Sequence, residues 1–223
     1  MRIPVLALLP ALSLLAPGAA RAQDEEGPAK FALSYGVALT SEYISDGEQQ
    51  SDGKPALQPY VEASYGMFYG GVWASNVDFG EGDDDWLEVD LYAGIRQEFG
   101  KLSLDLGYLR YLYEPSGDCC GDIQLLADYA LRDDFGLSGQ VKWDPVGDTV
   151  WTQVGAGYSF GELWSVSSYV GTDFGTKDLG DRDKVAMEVD LRRSIGDHAW
   201  AQIGYADSNY FAESLVLTVG ADF

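Results

Sequence analysis

The chain has 223 residues, of which 36 are acidic and 14 are basic, so its formal net charge is −22. This charge argues against nucleic-acid binding, which needs a basic surface. Aromatic residues make up 13% of the chain and recur periodically, so the acidity does not indicate disorder. No segment after the first 22 residues approaches the roughly 18 continuous apolar residues of a membrane-spanning helix. A soluble β-protein and a membrane β-barrel are the classes that remain.

The first 22 residues predict a cleaved signal peptide. Arg2 supplies the positive charge, an apolar run follows from Ile3 to Ala16, and Ala20-Arg21-Ala22 matches an Ala-x-Ala cleavage site. The apolar run is short for a transmembrane helix. We therefore expect a single mature domain of residues 23–223. Cleavage removes two arginines and leaves 12 basic against 36 acidic residues, a net charge of −24.

Twelve segments with alternating or aromatic-rich sequence follow. Each has roughly the nine to eleven residues that a tilted strand needs to cross the hydrocarbon layer. The even count is typical of bacterial single-chain barrels, and ten or fourteen strands are the alternatives. The predicted strands are 31–42, 57–64, 67–79, 86–98, 102–113, 122–131, 135–144, 150–160, 164–174, 184–194, 199–207 and 213–223.

The connections between these segments alternate in length. Links after odd-numbered strands are long, as at residues 44–56, 114–121 and 175–183, whereas links after even-numbered strands are short. Transmembrane barrels combine short periplasmic turns with longer external loops. The pattern predicts an all-β, antiparallel, up-and-down transmembrane barrel with both termini in the periplasm.

The last predicted strand alternates up to an aromatic residue. Outer-membrane barrels resemble one another in this ending, which the assembly machinery reads, so Leu215, Leu217 and Phe223 are the expected assembly signal. The strand is expected to pair with residues 31–42 and close the barrel. Its lumen-facing residues would be Thr218 and Asp222. Its lipid-facing residues would be Leu215, Leu217, Val219, Ala221 and Phe223.

Aromatic residues at strand ends are typical of the girdles at membrane interfaces. The candidates are Trp86, Phe99, Tyr111, Trp143, Phe160, Trp164 and Phe174. Alternation alone leaves open a soluble barrel with an aromatic core. The signal peptide, the loop lengths and the C-terminal Phe223 favour the bacterial outer membrane.

Four stretches carry a resemblance to a known family: 40–47 (TSEYISDG), 50–58 (QSDGKPALQ), 68–79 (FYGGVWASNVDF) and 88–94 (EVDLYAG). They resemble the TorF-type porins of proteobacteria, outer-membrane proteins of the Gcw_chp type that are also described as a family of unknown function. The family usually has an aromatic-Arg-Gly sequence near Ser45-Asp46-Gly47, and this chain lacks the arginine. The resemblance implies a porin-like outer-membrane barrel and no known substrate.

Charged residues occupy the strand faces opposite the apolar rows. One interpretation is an ion-paired lumen that closes itself. The other is a pore that prefers cations, because rings of carboxylates select them. The predicted lumen-facing charges are Glu62, Glu88, Asp90, Arg96, Asp105, Asp128, Lys142, Glu188, Asp190 and Arg192.

The predicted external loops contain acidic runs at 81–85 and 178–183 and the adjacent Cys119 and Cys120. Clustered carboxylates can bind Ca²⁺ or Mg²⁺, but neither run has EF-hand spacing, which favours solvated loops. Outside the cytoplasm the cysteines are expected to form a disulfide. Soft-metal binding is the alternative, although no further Cys and no nearby His would complete such a site.

The expected function is passive passage of small hydrophilic solutes or ions, with weak cation preference, no cofactor and no catalysis. The one histidine, His198, lies in a predicted periplasmic turn and could not serve as a base at the outer rim. The alternative is a structural or ligand-binding barrel with a plugged lumen that acts through its acidic loops. Expected partners are outer-membrane lipids and lipopolysaccharide, the barrel-assembly machinery and small solutes or cations; the oligomeric state is open.

Overall fold

The computed structural model describes residues 30–174 and 183–223. In these residues twelve long antiparallel strands form a closed barrel, and three short strands lie in the connections. No helix in this part of the chain is long and apolar enough to cross a membrane. The predicted signal peptide and residues 178–182 of the second acidic run lie outside the described residues.

The strand bounds follow the predicted segments to within a few residues. They are β1 (Phe31–Thr40), β2 (Ile44–Ser45), β3 (Glu48–Gln49), β4 (Ala56–Tyr65), β5 (Phe68–Asn76), β6 (Leu87–Phe99), β7 (Leu102–Glu114), β8 (Gly117–Cys120), β9 (Ile123–Arg132), β10 (Phe135–Asp144), β11 (Thr149–Phe160), β12 (Trp164–Phe174), β13 (Lys184–Ile195), β14 (Ala199–Ser208) and β15 (Ser214–Asp222).

The long strands pair in chain order, and the first pairs with the last. Around the barrel the order is β1, β4, β5, β6, β7, β9, β10, β11, β12, β13, β14 and β15. Strand β15 pairs with β1, so that Thr218 lies opposite Thr40 and Asp222 opposite Gly36. The predicted twelve-stranded up-and-down barrel and its closing pair are confirmed. In this ring of twelve strands, β10 is six positions from β1, and β13 is six positions from β6. The two strands of each pair therefore lie on opposite sides of the barrel.

The outer surface of the barrel is apolar and the inner surface is polar. Val154 and Leu215 are 69% and 65% exposed on the outside, whereas Asp90 on the inside is fully buried. A soluble barrel would turn its apolar rows inward, so this arrangement is that of a barrel in lipid. The period-2 alternation of the strands produces it directly, because successive side chains point to opposite faces.

Most of the predicted girdle residues lie on the outer surface, where Trp86, Phe99 and Phe174 are exposed. The prediction for Tyr111 is wrong. Its hydroxyl donates a hydrogen bond to Asp122 at 2.7 Å, and it shares the inner face of β7 with the buried Leu109. Position near a strand end suggested an interface residue, but the parity of β7 turns this ring into the lumen.

The two ends of the barrel differ. One end, here called the turn end, carries tight connections such as those at Gly66 and Gly100, whose φ angles of 61° and 66° favour glycine. The other, the loop end, carries the long connections. The longest described connection is loop 1, residues 41–55, which joins β1 to β4.

Candidate functional site

Loop 1 folds into the lumen of the barrel. Its strands β2 and β3 form a hairpin that turns at Asp46 and Gly47, with φ angles of 49° and 75°. An Asp-Gly pair with two positive φ angles makes the turn type that suits a two-residue hairpin. Tyr43 and Ile44 are buried beside this hairpin. The prediction that residues 44–56 form an external loop is therefore wrong for the hairpin, whose tip is held by contacts to the inner wall.

The tip of loop 1 reaches the far wall of the barrel. Lys142 of β10 donates hydrogen bonds to both carboxylate oxygens of Asp46, at 3.0 and 2.8 Å. Lys184 of β13 donates to Oε1 of Glu48 at 2.5 Å. Both lysines are 4% exposed in their side chains. Because β10 faces β1 across the ring, loop 1 spans the lumen; we call these two ion pairs the lumen tethers.

Gly47 fits the hairpin tip closely against the wall. Its carbonyl oxygen accepts a hydrogen bond from Oγ of Ser208 on β14 at 3.0 Å. A Cβ atom at this position would lie 2.3 Å from Cβ of Ala186 on β13, which is a collision between parts that cannot easily move. Glycine therefore allows the tip both its turn conformation and its contact with the wall.

The base of loop 1 is fixed separately, near the loop end. Fully buried Ser51 accepts a hydrogen bond from the Tyr43 amide at 2.9 Å and donates one to the carbonyl of Lys54 at 2.7 Å. The exposed Lys54 ammonium pairs with Asp78 of the next long loop. This contact, with the amide of Gly80, lowers the pKa of Asp78, and the hydrogen bond to Asp78 raises the pKa of Lys54.

Three lumen cations lie over aromatic rings that in turn lie against glycines. Lys184 Nζ is 5.3 Å from the centre of the Trp151 ring, and a Cβ on Gly171 would meet that ring at 2.2 Å. The Arg192 guanidinium is 3.9 Å from the centre of the Trp200 ring. Each ring can approach the wall because the adjacent strand carries a glycine, and each then offers its face to a cation.

The same arrangement holds Arg96. Its guanidinium is 4.3 Å from the centre of the Tyr69 ring, and a Cβ on Gly94 would lie 2.5 Å from the Tyr69 hydroxyl. Arg96 also pairs with Asp105 at 2.9 Å and with Glu62 at 3.4 Å. Three of the predicted lumen charges thus form one cluster.

In the part of the chain that the structure describes, every cation on the inner wall is ion-paired. Arg192 pairs with Asp222 at 3.4 Å, Arg96 has two carboxylates, and Lys142 and Lys184 hold loop 1. The positive charge of the lumen is therefore neutralised locally.

Two pairs of carboxyl groups on the inner wall form no ion pair with the described cations. Glu88 and Asp90 on β6, and Glu188 and Asp190 on β13, occur in the same local sequence, Glu-Val-Asp-Leu, on strands that face each other. Oε2 of both glutamates, Oδ1 of Asp190 and both oxygens of Asp90 are buried without a hydrogen-bond partner. The lumen therefore carries carboxyl groups without an ion-pair partner on two opposite walls.

Loop 1 covers one of these pairs. Glu88 accepts a hydrogen bond from the Tyr113 hydroxyl at 2.9 Å, and Tyr43 of loop 1 lies beside it. Burial raises the pKa of Tyr43 well above its ordinary value, and the neighbouring carboxylates of Glu88 and Asp90 raise it further.

Glu188 of the other pair borders a cavity of about 100 Å³ between loop 1 and the walls formed by β1, β4, β5, β13, β14 and β15. This space combines aromatic rings, amides, hydroxyls and carboxylates. Its lining includes Tyr43, Tyr60, Glu188, Trp200, Gln202 and Asp222.

All ten predicted lumen charges lie on inner faces of the strands. Six are buried, namely Glu62, Glu88, Asp90, Asp105, Lys142 and Asp190. Arg96, Asp128, Glu188 and Arg192 are partly buried. The sequence pattern did not indicate Asp46, Glu48, Lys184, Trp151 and Trp200. The Asp-Gly turn signal at residue 46 could have revealed the hairpin, but nothing local reveals its insertion.

The cysteine pair and the acidic run at 81–85 lie at the loop end and make different contacts. Cys119 and Cys120 are joined by a disulfide at the end of β8. In the acidic run at 81–85, Asp85 accepts a hydrogen bond from the Ser116 amide at 2.9 Å, so part of its charge serves to join two loops. No group of three or more potential metal ligands occurs within residues 30–174 and 183–223.

His198 lies at the turn end, away from the long loops. Its Nδ1 is 3.0 Å from the carbonyl oxygen of Asp222, and its ring stacks on Phe223 with centres 4.8 Å apart. Phe223 also stacks on Tyr35 of β1 and exchanges two backbone hydrogen bonds with it. The C-terminal aromatic ring thus belongs to the seam that closes the barrel.

The model of a bacterial protein family of unknown function, Gcw_chp, matches residues 23–214. The chain belongs to the Gcw_chp family. The match confirms the family part of the resemblance seen in the sequence, and the more specific TorF-type assignment stays a prediction. No curated protein matches this Gcw_chp chain significantly.

Solved structures similar to this Gcw_chp protein include outer-membrane porins. The KdgM porin has a TM-score of 0.64 at 10% identity, with 85% of this chain and 98% of that chain covered. The NanC porin has a TM-score of 0.58 at 9% identity, with 86% and 99% covered. The outer membrane protein Omp33 of Acinetobacter baumannii has a TM-score of 0.50 at 10% identity, with 85% and 98% covered. At these identities the likeness shows the fold, which is that of a porin barrel.

Proposed function

We propose that this Gcw_chp protein is a porin-like channel that passes small hydrophilic solutes and ions with a weak preference for cations. The observation that carries the proposal is the charge balance of the lumen. Its described wall cations are each ion-paired, whereas the Glu-x-Asp pairs of β6 and β13 have no ion pair. Carboxylates on opposite walls attract cations and repel anions.

Loop 1 sets the width of the passage. Its hairpin is tied to β10, β13 and β14, so the space left for a solute lies on the side of β1, β4, β14 and β15, where the cavity is found. Small solutes could pass there only by rearrangement of a few side chains or of the hairpin tip. We therefore expect low conductance that rises when the lumen tethers are weakened.

Liposome swelling tests this proposal. Vesicles containing the refolded barrel should swell in isotonic solutions of small solutes, faster with cationic than with anionic solutes of equal size. Empty vesicles provide the control. Absence of swelling with every solute would overturn the proposed passage, and faster swelling with the anions would overturn the cation preference.

A second candidate is a closed barrel that acts through its loops. It is favoured by the lumen tethers, because they join buried lysines to loop 1 across the barrel. This alternative predicts that neither the wild-type protein nor a variant without a tether supports swelling. Swelling by the tether variant alone would identify a channel held shut by loop 1.

We also propose that the barrel resides in the outer membrane, with both termini in the periplasm and its apolar belt against lipid and lipopolysaccharide. Leu215, Leu217 and Phe223 would be read by the assembly machinery, and no catalytic role is proposed. Protease added to whole cells should cut the long loops and spare the short turns. Cleavage at the turns in intact cells would contradict this orientation.

A further inference from the structure

Two of the carboxyl groups that line the cavity beside loop 1 differ in their partners. Asp222, on its wall, accepts hydrogen bonds from Arg192 and from Nε1 of Trp200, so its charge is neutralised. Glu188 also lines the cavity, and its Oε2 is buried without a hydrogen-bond partner. Asp190, two residues further along the same face of β13, has a buried, unpartnered Oδ1. The cavity is therefore bordered by a carboxyl group, that of Glu188, for which the described residues provide no ion-pair partner.

The remaining lining suits an organic cation better than a bare metal ion. A metal ion is held by several oxygen ligands, and the described residues contain no group of three or more potential metal ligands. The cavity instead offers the aromatic side chains Tyr43, Tyr60 and Trp73 together with the amide of Gln202. Aromatic groups combined with a carboxylate form the usual environment for alkylammonium groups.

The size of the space limits the ligand. A cavity of roughly 150 Å³ in another protein holds a benzene molecule, so about 100 Å³ accommodates a compound of a few heavy atoms. A primary ammonium group with a short alkyl chain has this size. Its ammonium group could donate to Glu188 and Gln202 while its methylene groups contact the rings.

We propose that this cavity is a binding site for small alkylammonium ions. The proposal deepens the proposed function by naming a class of cation that enters the lumen, and it depends on that function only for the passage of the bound ion across the membrane. Binding at the cavity itself requires no conductance.

Ligand-observed saturation-transfer NMR with the refolded full-length mature barrel tests the site. Ethylammonium should give a saturable signal, whereas ethanol, with the same number of heavy atoms and no charge, should give none. Potassium chloride at equal ionic strength should leave most of the ethylammonium signal in place. Equal signals from ethylammonium and ethanol, or complete loss of the signal in potassium chloride, would overturn the proposal without any variant.

Two variants locate the binding. Glu188→Gln should weaken ethylammonium binding about tenfold, as expected when a hydrogen bond to a charged group is lost. Asp128→Asn is the matched control, because Asp128 is also a lumen carboxylate but does not line the cavity, and its binding should stay within about twofold of the wild-type value. Equal weakening by both variants would show general attraction to an acidic lumen and would overturn the site.

Ethylammonium binding and vesicle swelling, measured on the same preparation, distinguish the binding site from the channel function. Ethylammonium binding in a barrel that fails to support swelling would leave the site standing and remove the channel function. Swelling without ethylammonium binding would leave the channel standing and remove the site.

Discussion

The two acidic pairs of the lumen share a sequence and differ in their surroundings. Glu88 and Asp90 lie beneath Tyr43 of loop 1 and next to the Tyr113 hydroxyl, whereas Glu188 borders open space. Both pairs sit on inner faces of strands that oppose each other. Since the strand pattern is the same, the difference comes from loop 1, which covers one pair and leaves Glu188 beside the cavity.

A substitution that breaks a lumen tether and releases loop 1 should have the largest effect on stability and conductance. Asp46→Asn keeps a residue that tolerates the positive φ angle but leaves Lys142 buried without its carboxylate. We expect the free energy of unfolding to fall by about 2 kcal/mol, less than for a fully buried pair, and the conductance to rise. Urea titration in detergent and bilayer recording measure the two changes.

Asp52→Asn is the control for this variant. Asp52 also lies in loop 1 with a positive φ angle, but it is exposed and pairs with the exposed Lys54 at 3.5 Å. Its unfolding free energy should change by less than about 0.5 kcal/mol. Equal effects of the two variants would show that the tether at Lys142 does not hold the loop.

Displacing the Trp151 ring, which lies against Lys184 of the second lumen tether, should have the next largest effect. Gly171→Ala would place a methyl group 2.2 Å from the nearest atom of the Trp151 ring and so displace the ring beneath Lys184. Overpacking of this kind costs roughly 1–3 kcal/mol. Gly139→Ala, where the nearest atom is 3.9 Å from the new Cβ, is the control, and similar losses in both variants would contradict this role of Gly171.

The two acidic pairs can be compared directly by ion selectivity. Glu188→Gln should reduce the cation-to-anion permeability ratio about twofold more than Glu88→Gln does, because only Glu188 borders the cavity and carboxylates near the path select cations. Single-channel reversal potentials in a salt gradient give this ratio. A larger effect of Glu88→Gln would place the path on the other side of loop 1.

The smallest effect is expected at the exposed base of loop 1. The folded-state pKa of Asp78 lies below its ordinary value of 3.8 because of Lys54 and the Gly80 amide. A lowered pKa means that this contact contributes stability above about pH 4 and loses it as the pH falls through the folded pKa. Asp78→Asn should thus have a slight effect at pH 7 that shrinks as the pH falls below about 4; an effect that grows on acidification would contradict this assignment.

Sequence alone predicts the wall of this barrel well. Alternation assigns faces one strand at a time, so the inner positions of Glu88, Asp90, Glu188 and Asp190 follow from local pattern, and the alternating loop lengths order the strands. The prediction for Tyr111 is wrong because a position near a strand end suggests an interface residue, whereas the alternation along β7 places this ring inside the barrel.

The contents of the lumen are much harder to predict. Asp46 and Lys142 are 96 residues apart in the chain, and Glu48 and Lys184 are 136 apart. A loop has no periodicity that assigns it to a face, so its insertion depends on contacts that only the closed barrel brings together. Lys184 begins β13, and its sequence context gives no sign of a partner in loop 1.

The most direct test of a cation-preferring passage beside loop 1 is the reversal potential of the wild-type barrel in a planar bilayer under a salt gradient. We expect small, measurable conductance and a reversal potential displaced toward the equilibrium potential of the cation. A barrel that inserts without conducting, or a displacement toward the equilibrium potential of the anion, would contradict such a passage.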